Sequence, residues 1–167
     1  MRCPNCGFNH QEDLNFCSNC GTKLESQAST PTVGPGASDV EYYLTETAAT
    51  VYESGDTALK VSELYGAAFD LELSEVVSQC LVYSEGYDEL LRRLVLLECP
   101  QECSKLRQYT IDALIHSKQE LTEFAVAFST GDSEPLFEAE NDHNEAQRAL
   151  ALAAGERDRL MEEYLEP

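Results

Sequence analysis

The alternation of apolar and polar positions divides this chain more sharply than any motif in it. From Ser38 onward, apolar residues recur at steps of three, four and seven, the repeat of a helix with one face turned to a core. Ser38-x-x-Glu41 has the form of a capping box and opens a first predicted helix carrying Val40, Tyr43, Leu44 and Val51. Gly55-Asp56 punctuates the pattern. A second helix is predicted from Thr57 towards Ser84, with Leu59, Leu64, Ala67, Ala68, Leu71, Val76 and Leu81 as its core positions. Gly86 and the Tyr87-Asp88 step predict a break or kink. A short helix then follows through Leu90, Leu91, Leu94 and Leu97, ended by Pro100.

The next segment has the clearest period. Leu106, Tyr109, Ala113, Leu114, Leu121, Phe124, Ala125 and Phe128 form one stripe on a helix predicted from about Gln101 to Ser129. At 1.5 Å rise per residue it is about 40 Å long. Gly131 stops it, Asp132 or Ser133 caps the last helix, and Pro135 sits in the first turn, where its missing N–H costs nothing. Leu136, Ala139, His143, Ala146, Leu150, Ala153, Leu160 and Tyr164 supply the final stripe. Long helices joined by short turns pack antiparallel. The expected fold is therefore mainly α: an antiparallel helical bundle over residues 38–167, preceded by two segments of different character.

Residues 25–37 read as a flexible linker, small and polar, with two Pro and two Gly and no period. Residues 1–24 contain Cys3-Pro4-Asn5-Cys6-Gly7 and, with ten residues between Cys6 and Cys17, Cys17-Ser18-Asn19-Cys20-Gly21. Two cysteines three apart in a tight turn can aim both thiolates at one ion, and the following Gly accepts the backbone geometry that closes the turn. Two such turns satisfy the tetrahedral preference of Zn2+. A disulfide pair and a rubredoxin-like iron are the competing uses of the same cysteines.

The segment, through Cys3-Pro4-x-Cys6-Gly7 and Phe16-Cys17-x-x-Cys20-Gly21, resembles the short zinc-ribbon modules at the N-termini of many archaeal and bacterial proteins. The resemblance implies one structural Zn2+ held by Cys3, Cys6, Cys17 and Cys20. Because it covers only residues 1–24 and such ribbons accompany many activities, it implies little about function. Four thiolates leave no open coordination position, so the ion is expected to be structural. In comparable zinc-finger peptides metal binding contributes roughly 10–16 kcal/mol, which for so small a module is its folding energy. Phe8, Leu14 and Phe16 are expected to pack there, and His10 to face solvent.

Charge narrows the partners. The 167 residues include 31 acidic and 11 basic ones, a formal net charge of -20. Affinity for nucleic acid comes from Lys and Arg displacing counterions, so nucleic-acid binding is not expected. Anionic membranes are disfavoured for the same reason. The chain opens Met-Arg-Cys-Pro without an apolar leader and has no run long enough to span a bilayer. A cytoplasmic location follows as an expectation, and with it metal or free thiols in place of disulfides for the seven cysteines.

Three features could carry chemistry in the helical part. Glu140-x-x-His143 has the spacing used in ferritin-like di-iron bundles, but His116 has Ala113 where a second such motif needs Glu. Cys99 and Cys103, with Cys80, could make a further thiolate site, though buried free cysteines serve equally as small apolar residues. The acidic residues Glu134, Glu138, Glu140, Asp142, Glu145, Glu162 and Glu163 could dock a basic partner or simply solvate a helix. Nothing resembles a nucleophile elbow, a P-loop or a Rossmann glycine pattern. The sequence therefore points to a non-catalytic zinc-ribbon adaptor with a protein partner. The alternatives are a metal- or small-ligand-binding bundle, including a ferritin-like oxidoreductase, and a transcription-associated protein.

Overall fold

The computed structural model describes residues 37–165. The expectations placed on Cys3, Cys6, Cys17, Cys20 and the linker up to residue 36 lie outside that range. Within it the chain forms four long α-helices: α1 (Ala37–Ala67), α2 (Leu73–Leu96), α3 (Ser104–Thr130) and α4 (Glu134–Tyr164). A single 3-10 turn, Gln101–Cys103, leads into α3. No strand occurs among the described residues, and no helix there is long and apolar enough to cross a membrane.

Cross-helix pairs fix the directions. Between α2 and α3, Arg107 donates to the Val95 carbonyl and Lys118 pairs with Asp88, so one number rises as the other falls. Between α3 and α4, His116 meets Asp142 and His143 meets Glu120, while Glu156 lies near Lys105. Arg93 pairs with Glu53 across α1 and α2, and Lys60 lies near Tyr83. Successive helices are thus antiparallel, as the short connections require. α3 is the most extensively packed, against α2 and α4; α1 closes the bundle with lighter contacts to all three.

The core is contiguous from end to end. Val40, Tyr43 and Leu44 of α1 belong to the same cluster as Leu94, Cys103, Leu106, Leu114 and Leu160, and the cluster continues through Tyr87 to Val61, Leu64, Val76 and Cys80. Fully burying a Leu or Val side chain stabilises by about 1.5–3 kcal/mol, so this apolar seam is what holds helices of modest individual propensity together.

Helix ends follow local chemistry. Gly131 takes φ 72°, a left-handed conformation a side chain would strain, and its N–H returns to the Ala127 carbonyl. At the start of α4, Asp132 Oδ1 accepts the Glu134 N–H at 3.0 Å; Ser133 holds the N-cap position without a side-chain bond, and Pro135 sits in the first turn.

Several boundaries differ from the sequence reading. α1 begins at Ala37, which places Ser38 inside the first turn and not at its cap. It then runs straight through Gly55-Asp56, and α2 runs through Gly86-Tyr87-Asp88, so the separate short helix at Leu90–Leu97 does not exist. A mid-helix Gly costs about 1 kcal/mol, less than the buried contacts made on either side of it. The true break is at 68–72, where Ala68 is buried and Phe69 is 90% exposed. Leu59 and Leu81, expected in the core, are 68% and 59% exposed: the assumed second helix combined the end of α1 with the start of α2, and its register failed across the junction.

Candidate functional site: a cleft between α1 and α4

Where α1 and α4 face each other they leave a partly open cleft of about 480 Å³, floored by α3 and closed at one side by Tyr87 of α2. Its shape follows from side-chain size. On α1 the residues facing it include Ser54, Gly55, Ala58 and Ser62, all small, and a Cβ added at Gly55 would meet no atom within 4 Å. Opposite, α4 contributes Leu136, Ala139, Ala146 and Leu150 as an apolar wall, with Glu140 and Gln147. Val51, Val61 and Phe124 extend the apolar lining.

The floor is polar. Glu120, on the buried stripe of α3, is 9% exposed. Its two carboxyl oxygens lie 3.2 and 3.3 Å from Nδ1 of His143, which is half exposed. Burial pushes the Glu120 carboxyl above its ordinary value, and His143 beside it pulls in the opposite direction without cancelling the shift. The Tyr65 hydroxyl is buried and faces the same carboxyl; burial first, then the Glu120 charge, push its ionisation far up. The Tyr87 hydroxyl lies against Ser117 and Ser54, and burial raises its value too. Tyr65 also stacks at a tilt on Phe124, ring centroids 4.0 Å apart, and Phe124 continues to Phe128 at 4.7 Å and thence to Phe69 at 6.0 Å. A string of aromatic rings therefore runs from the exposed α1–α2 turn to the cleft floor.

This arrangement has the ingredients of a small-molecule site: concave, mostly apolar, with a few converging polar groups and a perturbed carboxyl. Of the residues singled out in the sequence, His143 and Glu140 both line it. They are not partners as the Glu-x-x-His spacing suggested. His143 binds Glu120 from α3, 23 residues away, while Glu140 is exposed. His116 pairs with Asp142 at 2.7 Å. The cysteines lie elsewhere. Cys80 is in the core of α2, its thiol pushed up to about 11 by burial. Cys103 is buried at the head of α3, with a thiol also raised to about 11, chiefly by burial and then by nearby Cys99. Cys99 is half-buried in the α2–α3 connection, its sulfur 3.3 Å from the Pro100 carbonyl oxygen. Among the described residues, no three His, Cys, Asp or Glu side chains converge in a way that could hold a metal ion.

Glu120 is the residue that the sequence reading missed. Its signal was present: it occupies the Ala113–Phe124 stripe, seven residues after one and four before the other, where a carboxylate has no reason to be unless something meets it. Comparisons with known protein families, with curated proteins and with solved structures gave no match, so the cleft itself is the basis for a functional reading.

Proposed function

We propose that this is a non-catalytic, cytoplasmic binding protein of two modules: a zinc ribbon formed by Cys3, Cys6, Cys17 and Cys20, and an acidic helical bundle that receives a small ligand in the α1–α4 cleft. The ribbon, with its closed tetrathiolate ion, serves as a structural contact surface for a protein partner; its Cys-x-x-Cys-Gly pairs support that half. One observation carries the other half. A partly open, mostly apolar cleft of about 480 Å³ lies over a buried carboxyl and a buried tyrosine hydroxyl that faces it. A concave apolar space with a few converging polar groups is the form that small-molecule sites take.

Two measurements test this reading. Native mass spectrometry should find one zinc per chain, lost in Cys17→Ser while circular dichroism still reports the helices. Titration of the full chain with a neutral aromatic alcohol, 3-phenylpropan-1-ol, should shift amide resonances of residues such as Val51, Ala58, Phe124 and Ala146. Shifts scattered over the surface, or none at millimolar concentrations of this probe and of its amine counterpart, 3-phenylpropylamine, overturn the ligand half.

A further inference from the structure

We propose that the cleft receives an amphipathic organic cation, a protonated amine on an apolar body, with its ammonium group against Glu120. This rests on the reading of the cleft as a ligand site and specifies the chemistry of what enters it. Among the described residues, the charged ones lining the cleft are Glu120 and Glu140, with His143, and no Lys or Arg joins them. Even with His143 protonated, the two carboxylates leave the lining without net positive charge, and with His143 neutral it is doubly negative.

Lys60, Lys118 and Arg93, on the helices that form the cleft, are each committed to a carboxylate of their own: Asp56, Asp88 and Glu53. An anionic ligand would meet like charge in a partly desolvated space, where repulsion is strongest. A neutral ligand would bring no charge to offset that of the Glu120 carboxylate, which otherwise meets half-exposed His143 and the Tyr65 hydroxyl. An ammonium satisfies it: it donates charge-assisted hydrogen bonds to the carboxylate and favours its ionised form.

The surroundings suit the rest of such a molecule. The Tyr65 and Phe124 rings line the cleft beside the carboxyl and can face a cation, an attraction that grows when water is excluded. The buried Tyr65 hydroxyl, beside the carboxyl, adds a second polar atom to the floor that an ammonium can meet. Val61, Ala139 and Leu150 offer apolar contact to a hydrocarbon or aromatic body. A bare metal ion is a poor match to the same lining: among the described residues no three ligating side chains converge.

The test is a matched series on the full chain at neutral pH and fixed ionic strength: 3-phenylpropylamine, 3-phenylpropan-1-ol and 3-phenylpropanoate, which share a body and differ in head group. Calorimetric titration should show the amine binding at least tenfold tighter than the alcohol, and the carboxylate weakest. Glu120→Gln should remove the amine's advantage while leaving the alcohol unchanged. Glu138→Gln, an exposed carboxylate outside the cleft, should leave the amine's affinity as it is and thereby exclude attraction to the acidic surface at large. Gly55→Leu, which projects a side chain into open space, should weaken amine and alcohol together. If the alcohol binds as tightly as the amine, the cation preference is wrong and the ligand site stands. If Glu138→Gln weakens the amine as much as Glu120→Gln, the attraction is that of the surface and the proposal falls. If none of the three probes binds, the ligand reading fails with it.

Discussion

Glu120 of α3 and His143 of α4 face each other at 3.2 Å across the floor of the cleft, the first buried and the second half exposed. A carboxyl so placed is a stability liability as well as a recognition element. Burial, the dominant influence, holds its folded-state pKa above the ordinary value, so over part of the acid range the folded chain retains a proton that the unfolded chain has released. The stabilisation is therefore complete below the ordinary carboxylate pKa and is lost as pH rises through the higher folded value. Glu120→Gln abolishes that loss. Its stability relative to the parent chain should rise between acid and neutral pH, measured by urea unfolding at several pH values, and a difference independent of pH would contradict the assignment.

Gly55 lies mid-helix in α1 with room for a Cβ. Gly55→Ala should raise the urea midpoint by an amount corresponding to about 0.5–1 kcal/mol, with the slope unchanged. A loss of stability would show that the space at this position is smaller than described.

Leu160 has no exposed surface and belongs to the same core cluster as Tyr43 and Leu106. Leu160→Ala should cost about 2–5 kcal/mol. Leu59→Ala, at a position 68% exposed, should change stability by less than about 0.5 kcal/mol. The contrast, read from paired denaturation curves, checks the register of α1 and α4 together.

The three described cysteines should separate kinetically. Cys80 and Cys103 are buried, with thiols raised to about 11, so little thiolate is present at neutral pH. Cys99 is half-buried in a connection between helices. Timed alkylation followed by peptide mass mapping should label Cys99 well before the other two, and equal rates would mean that the bundle opens faster than the reagent reacts.

How much of this was legible in the sequence depended on range. α3 and α4 were read to within a few residues because their stripes are long and their junction carries Gly131, Asp132 and Pro135 within a single turn. The α1–α2 junction was misplaced because Phe69-Asp70-Leu71-Glu72 contains no helix breaker, whereas Gly55 and Gly86 look like breaks and are overruled by tertiary packing. Likewise His143 was placed on the stripe beside Glu140 as a hydrogen-bonded core histidine, but its partner could not be named. Glu140 is its neighbour in sequence; Glu120 is its neighbour only once α3 and α4 lie side by side, which no local pattern encodes.

The small residues of α1 carry a last consequence. Ser54, Gly55, Ala58 and Ser62 set the bore of the cleft by subtraction, while Glu120 and His143, on other helices, set its polarity. On the proposed ligand reading, size selection and charge selection would therefore sit on separate helices. A single added methyl group on α1 would narrow what can enter without altering how it is held, and an exchange at position 120 would change the preferred head group without altering the calibre.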